Sequence, residues 1–265
     1  MKKTLLTLTL FTYLSIPHLA YAATPEQVEQ YLLVSRAEEE LITLESQFSA
    51  MQNAFKRNDT NETEDNTYDM QMLSLRFKEY IEKHLSEDEM IAVLENYKNV
   101  VLLQFVSASS EAQEHDGNET LSYVQNLKTT PDANERIDLV DKISKELYSK
   151  EAMMILFDEL MKPLMKNGIG GQKMNDKMLD FVKKDYLKMM TETSKNETLY
   201  ASKDFSIEEL EELLKIAQTP AIDHEVKAVF GGMAYALKEF FMTLTSRFDV
   251  SKHQPQGIDT TKHTK

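Results

Sequence analysis

Asp223-His224-Glu225, just after Pro220, is the run whose residue types most readily suggest chemistry. His224-Glu225 opens like the helical zinc-protease motif, in which two histidines four residues apart bind the metal and the glutamate activates water. The residue four beyond His224 is Ala228, so the second ligand is missing and the motif fails. Asp223, His224 and Glu225 stay as binding-site candidates, with capping of a helix start as their expected structural role.

Other constellations fail in similar ways. Asp59, Asn61, Thr63 and Asp65 alternate like a calcium loop, but the sixth position lacks glycine and the twelfth is Met70 instead of glutamate. Gly168, Gly170 and Gly171 suggest a phosphate loop, yet no strand precedes them and the spacing is wrong, so a helix end and turn is expected. Fifteen methionines raise soft copper(I) ligation, but Met154, Met161, Met190 and Met233 fall on apolar helical stripes, where they fill core gaps. With no cysteine and no G-x-S-x-G, the familiar nucleophiles are missing. The sequence therefore assigns no catalytic residue, no metal ligand and no cofactor.

The elements that would position any site read as helices throughout. Thr24 and Pro25 start an amphipathic helix to about Phe55, carrying Leu41, Leu44, Phe48, Met51 and Phe55 on one stripe. Its Glu38, Glu39 and Glu40 are expected on a solvated flank. After a polar loop at Lys56 to Tyr68 comes a helix with Leu73, Phe77, Tyr80 and His84 on one face. A further helix is expected from Glu87 to about Glu114. A later helix carries Leu179, Val182, Tyr186 and Met190. The last, after Pro220, carries Ile222, Val226, Val229, Met233 and Leu237, with Gly231-Gly232 marking close approach of a neighbour.

Two stretches match at an offset of 120 residues. Tyr80, Lys83, Ser86, Glu89 and Leu94 fall on Tyr200, Lys203, Ser206, Glu209 and Leu214, and each copy reads as a helix-starting capping box. At an offset of 113, Leu41, Leu44, Phe48 and Met51 fall on Met154, Phe157, Met161 and Leu164. The expected architecture is all-α, two related helical repeats packed as one body. Residues 23–115 form the first repeat, 116–131 a linker, 132–248 the second repeat, and 249–265 a disordered tail.

Tyr200-x4-Phe205-Ser206-x2-Glu209-Leu210, ending in Thr219-Pro220, resembles a family of exported bacterial helical domains of unknown function. The likeness covers roughly Asp132 to Phe248. Ile216-Ala217 replaces an aromatic pair of that pattern, and Ile222-Asp223-His224 stands where it has Gly-Gln-Lys. The resemblance implies a helical envelope protein and supplies no activity.

Lys2-Lys3, the apolar run Leu5 to Ile16, and Ala20-Tyr21-Ala22 have the layout of a cleaved signal peptide covering 1–22. This predicts a periplasmic chain starting at Ala23. A 42% hydrophobic content is enough for a real core, and no second long apolar run is present to span a membrane. The net charge of -14 becomes -16 without Lys2 and Lys3, which disfavours nucleic acid and anionic membrane and either attracts a basic protein partner or serves solubility alone. The expected function is a non-enzymatic protein-binding module. The alternatives are an immunity-type inhibitor of an envelope-directed toxin, and an enzyme or metal-handling protein with an unrecognised site.

Overall fold

The computed structural model describes residues 21–39, 41–43, 46, 70–114, 117–167 and 173–247. Residues 1–20 of the expected signal peptide (1–22), the expected polar loop at 56–68, Gly168, Gly170, Gly171 and the expected tail at 249–265 lie outside them. Among the described residues the chain is all-α. The one extended pairing is an isolated antiparallel bridge between Ala22 and Ser86.

Helix α1 (Pro25–Ser35) starts as its sequence predicts. Thr24 accepts from the Gln27 N–H at 3.3 Å, and the Gln27 side chain accepts from the Thr24 N–H at 2.8 Å. The expected run to Phe55 is interrupted at Arg36, whose φ of 57° is left-handed. A non-glycine residue there costs about 1–2 kcal/mol. The turn carries Ala37 and Leu41, both buried, onto the core as the helix resumes.

Helices α2 (Met70–His84), α3 (Glu87–Asn96) and α4 (Val100–Glu114) follow. The helix expected from Glu87 to Glu114 is thus two helices. Asn99 starts the second by accepting the Val101 N–H at 2.8 Å, and Tyr97 ends the first with its side chain turned inward. On α2 the fully buried line is Leu73, Phe77 and Ile81, while Tyr80 and His84 stack on each other nearer the surface. The expected linker holds an 11-residue helix, α5 (Gly117–Leu127), before α6 (Ala133–Leu147).

A kinked segment follows: α7 (Lys150–Leu156), a π-helical turn at Phe157–Met161, and α8 (Lys162–Asn167). Its buried side chains are Met153, Phe157, Leu160 and Leu164, whereas the expected Met154 and Met161 are half-buried. The face is rotated because Ala152 and Met153 meet Ile222, Val226 and Phe230 of the last helix. Helices α9 (Asp176–Ala201), α10 (Ile207–Ala217) and α11 (Pro220–Arg247) complete the described chain.

Both capping boxes form. Ser86 and Ser206 accept the N–H of Glu89 and Glu209, whose carboxylates accept the serine N–H groups at 2.8 and 2.7 Å. Met90 and Val93 in one copy, and Leu210 and Leu213 in the other, are buried behind them. The two corners also touch: Asn96 donates to Thr219 at 3.0 Å, and Asn99 to Glu212 at 2.7 Å. In the offset-113 match, Leu44, Phe48 and Met51 lie outside the described residues.

Buried Arg136 of α6 secures the second corner. Its guanidinium donates to the carbonyls of Ser202 at 3.1 Å and Phe205 at 2.7 Å, with Asp132 at 3.6 Å.

Helix α11 is the central strut, packing chiefly on α2 and α7 and touching α3 and α6. Its glycines allow the approach to α2. A Cβ on Gly232 would lie 2.8 Å from the Phe77 ring, and one on Gly231 would lie 2.3 Å from the Tyr80 hydroxyl. Phe77 is fully buried and cannot swing away. Gly232→Ala is expected to destabilise the protein by about 1–3 kcal/mol through overpacking, despite about 1 kcal/mol of gained helix propensity. Gly231→Ala, which meets the far end of a half-buried tyrosine, should cost less. Urea denaturation of both variants checks this, and an unchanged Gly232→Ala midpoint contradicts it.

Candidate functional site

Thr219 and Pro220 start α11, with the Thr219 hydroxyl accepting the Ile222 N–H at 3.4 Å. The cap is therefore Thr219, and Asp223, His224 and Glu225 lie within the first two turns. Their side chains point in three directions. Asp223 pairs with Lys227 one turn on at 2.8 Å and holds that amine above the usual lysine range. His224 Nδ1 lies 2.7 Å from Glu89 Oε1, tying α11 to the capping box of α3. Hydrogen bonds from Ser86 hold the Glu89 carboxyl below its usual range, and His224 adds to them.

Glu225 faces inward and is 5% exposed. Its Oε1 accepts two phenol hydroxyls, Tyr31 from α1 at 2.9 Å and Tyr97 from the end of α3 at 2.6 Å. The two rings meet edge to face, with centroids 6.0 Å apart. Its Oε2 is buried with no hydrogen-bond partner. Burial pushes the carboxyl up to about 7, against the two tyrosine hydroxyls, which pull it down.

The cluster opens onto a cavity of about 150 Å³ between α1, α4, the ends of α3 and α6, and α11. Phe105, Val226 and Phe230 supply apolar wall, Ser109 and Ser110 supply hydroxyls, and Tyr148 closes the α6 side. Arg36, in its left-handed turn, and Glu39 stand at the rim, 3.8 Å apart. Glu39 also accepts from Ser110 of α4 at 3.2 Å. Glu225, with its one unpaired buried oxygen, is thus a wall residue of a space mainly lined by aromatic and aliphatic side chains.

The sequence names Glu225 but not its partners. Tyr31 and Tyr97 lie 194 and 128 residues away from it. Tyr31 does fall in register with the buried Val28 and Leu32, a signal for its inward direction only. Among the described residues no group of three His, Cys, Asp or Glu side chains is placed to hold a metal ion. The Tyr186 hydroxyl is also buried without a partner; its ring packs on Phe157, with centroids 5.3 Å apart, and is not part of the cavity wall.

No family model, curated protein or solved structure matches this chain.

Raising Glu225 from 4.5 to about 7 makes the fold prefer the protonated acid. The stability this contributes is complete below the unfolded value and is lost as pH rises through about 7, a change of about 3 kcal/mol. Glu225→Gln cannot ionise, so the wild-type protein should lose stability relative to it between pH 5 and 8. Urea midpoints at several pH values test this, and parallel curves for the two proteins contradict it.

Proposed function

We propose that this chain is an exported, periplasmic, non-enzymatic binding protein that captures another protein, with the Glu225 cavity as the point where the partner is engaged. The observation that carries the reading is Glu225 Oε2, a buried acceptor left without a partner on a residue that lines the cavity. An unanswered buried acceptor costs about 1–3 kcal/mol, and a partner that supplied a donor would recover it on binding. The acidic surface supports a basic partner. A net charge of -14, or -16 without the leader lysines, attracts such a protein over several ångströms and speeds its encounter. The paired capping corners at Ser86 and Ser206 support a duplicated helical scaffold with the cavity set between its parts.

Affinity capture from native envelope, at low and high salt, tests this reading. One stoichiometric partner is expected at low salt, lost at high salt. Glu225→Gln should hold it at least about tenfold less tightly, equivalent to ~1.4 kcal/mol. Absence of any partner under both conditions contradicts the proposal. Equal capture by the wild-type and Glu225→Gln proteins removes the cavity from it.

A further inference from the structure

We infer that the group the cavity accepts is a primary alkylammonium, the chemistry of a lysine side chain, in preference to a guanidinium. The inference rests on the reading of the cavity as the binding site and specifies what enters it.

The geometry of the carboxyl makes the choice. A guanidinium recognises a carboxylate through two parallel N–H bonds, one to each oxygen. At Glu225 one oxygen is already taken: Oε1 accepts both Tyr31 and Tyr97, at 2.9 and 2.6 Å. Only Oε2 is without a hydrogen-bond partner, which removes half of the fork. An ammonium is a compact point charge with three rotatable donors and needs only one acceptor oxygen. The walls suit the rest of such a group. Phe105, Val226 and Phe230 offer apolar surface to a methylene stem, and aromatic faces add attraction for the cation. The volume of about 150 Å³ is that of a cavity able to hold a benzene-sized body, ample for a four-carbon stem. An anionic ligand would place a second negative charge against a buried carboxyl.

Binding of an ammonium favours the ionised acid, so it competes with the proton that burial holds on Glu225. The other ionisable groups facing the cavity are Tyr31 from α1, Tyr97 from the end of α3, Tyr148 from the end of α6, and the Arg36–Glu39 pair at the rim. Helix α4 contributes serines and apolar side chains. The Glu225→Gln variant separates the carboxyl from all of these.

The test is calorimetric titration and thermal shift of the purified protein with n-butylamine, n-propylguanidine and 1-butanol, at pH 6 and pH 8. n-Butylamine should bind about tenfold more tightly at pH 8 than at pH 6, following ionisation of the carboxyl. n-Propylguanidine should bind at least tenfold more weakly than the amine at pH 8, and 1-butanol should show no pH dependence. Glu225→Gln should abolish the pH-dependent amine binding. Val229→Phe, which adds bulk at the cavity wall and keeps the carboxyl, should block all three probes. Guanidine binding as tight as amine binding, or amine binding that does not depend on pH, overturns the ammonium assignment and leaves the cavity standing as a site. Failure of every probe to bind overturns the cavity as a site as well. Capture from an envelope extract whose lysines have been acetylated identifies the source. Loss of the captured protein assigns the ammonium to a partner lysine. Retention overturns that source and assigns the cavity to free amines.

Discussion

The carboxyl of Glu225 is the constraint around which the helices are arranged. Taking an acid out of water is costly, and the chain offsets that cost by bringing two phenols to one oxygen. Each phenol comes from a place where a continuous helix would have been simpler. Tyr97 sits at the end of α3, where the helix stops and α4 starts in a new direction. Tyr31 lies just before the left-handed Arg36 that ends α1. The breaks and the buried acid therefore belong to one arrangement. Three elements distant in sequence are held at one atom, and the space left beside them is the cavity.

Arg136 is a useful counterpart. It too is an ionisable side chain inside the fold, but the carbonyls of Ser202 and Phe205 and the carboxylate of Asp132 surround its guanidinium. Its donors are directed at backbone carbonyls of the turn between α9 and α10, and it stands behind the capping box that starts α10. Glu225 has one oxygen answered twice and the other not at all. Arg136 reads as architecture because its needs are met locally. Glu225 differs because one of its oxygens is left unpaired on a residue that lines a cavity.

The helical class, the capping boxes at Ser86 and Ser206, the Thr24-Pro25 start and the close approach at Gly231-Gly232 were all legible in the sequence, since each is a local device with a short spacing rule. The interruptions at Arg36 and at Tyr97 to Asn99 were not. No glycine or proline marks either one, and the apolar stripe continues past both because the core lies on the same side. The rotated face of α7 was hidden because it depends on where α11 lies. Glu225 was visible as a residue type next to a helix start, and periodicity gave its neighbours Ile222 and Val226 an inward face. Nothing local announces that two tyrosines from elsewhere in the chain will meet it. A buried acid on an apolar face, lacking a nearby basic residue at helical spacing, was the one signal available.

The 194-residue span between Tyr31 and Glu225 also orders events during synthesis. A ribosome makes α1 long before α11, so α1 can settle on α2, α3 and α4, which follow it closely, while Tyr31 meets Glu225 only when nearly the whole chain has been produced. Closing so long a loop costs only slightly more entropy than closing a shorter one, but contacts of this kind form after local ones have been made. Helices α9 and α10, which both pack on α6 nearby in the sequence, can assemble with it first. The Tyr31–Glu225 contact is then a late step, and until it forms Glu225 lacks one of its two phenols.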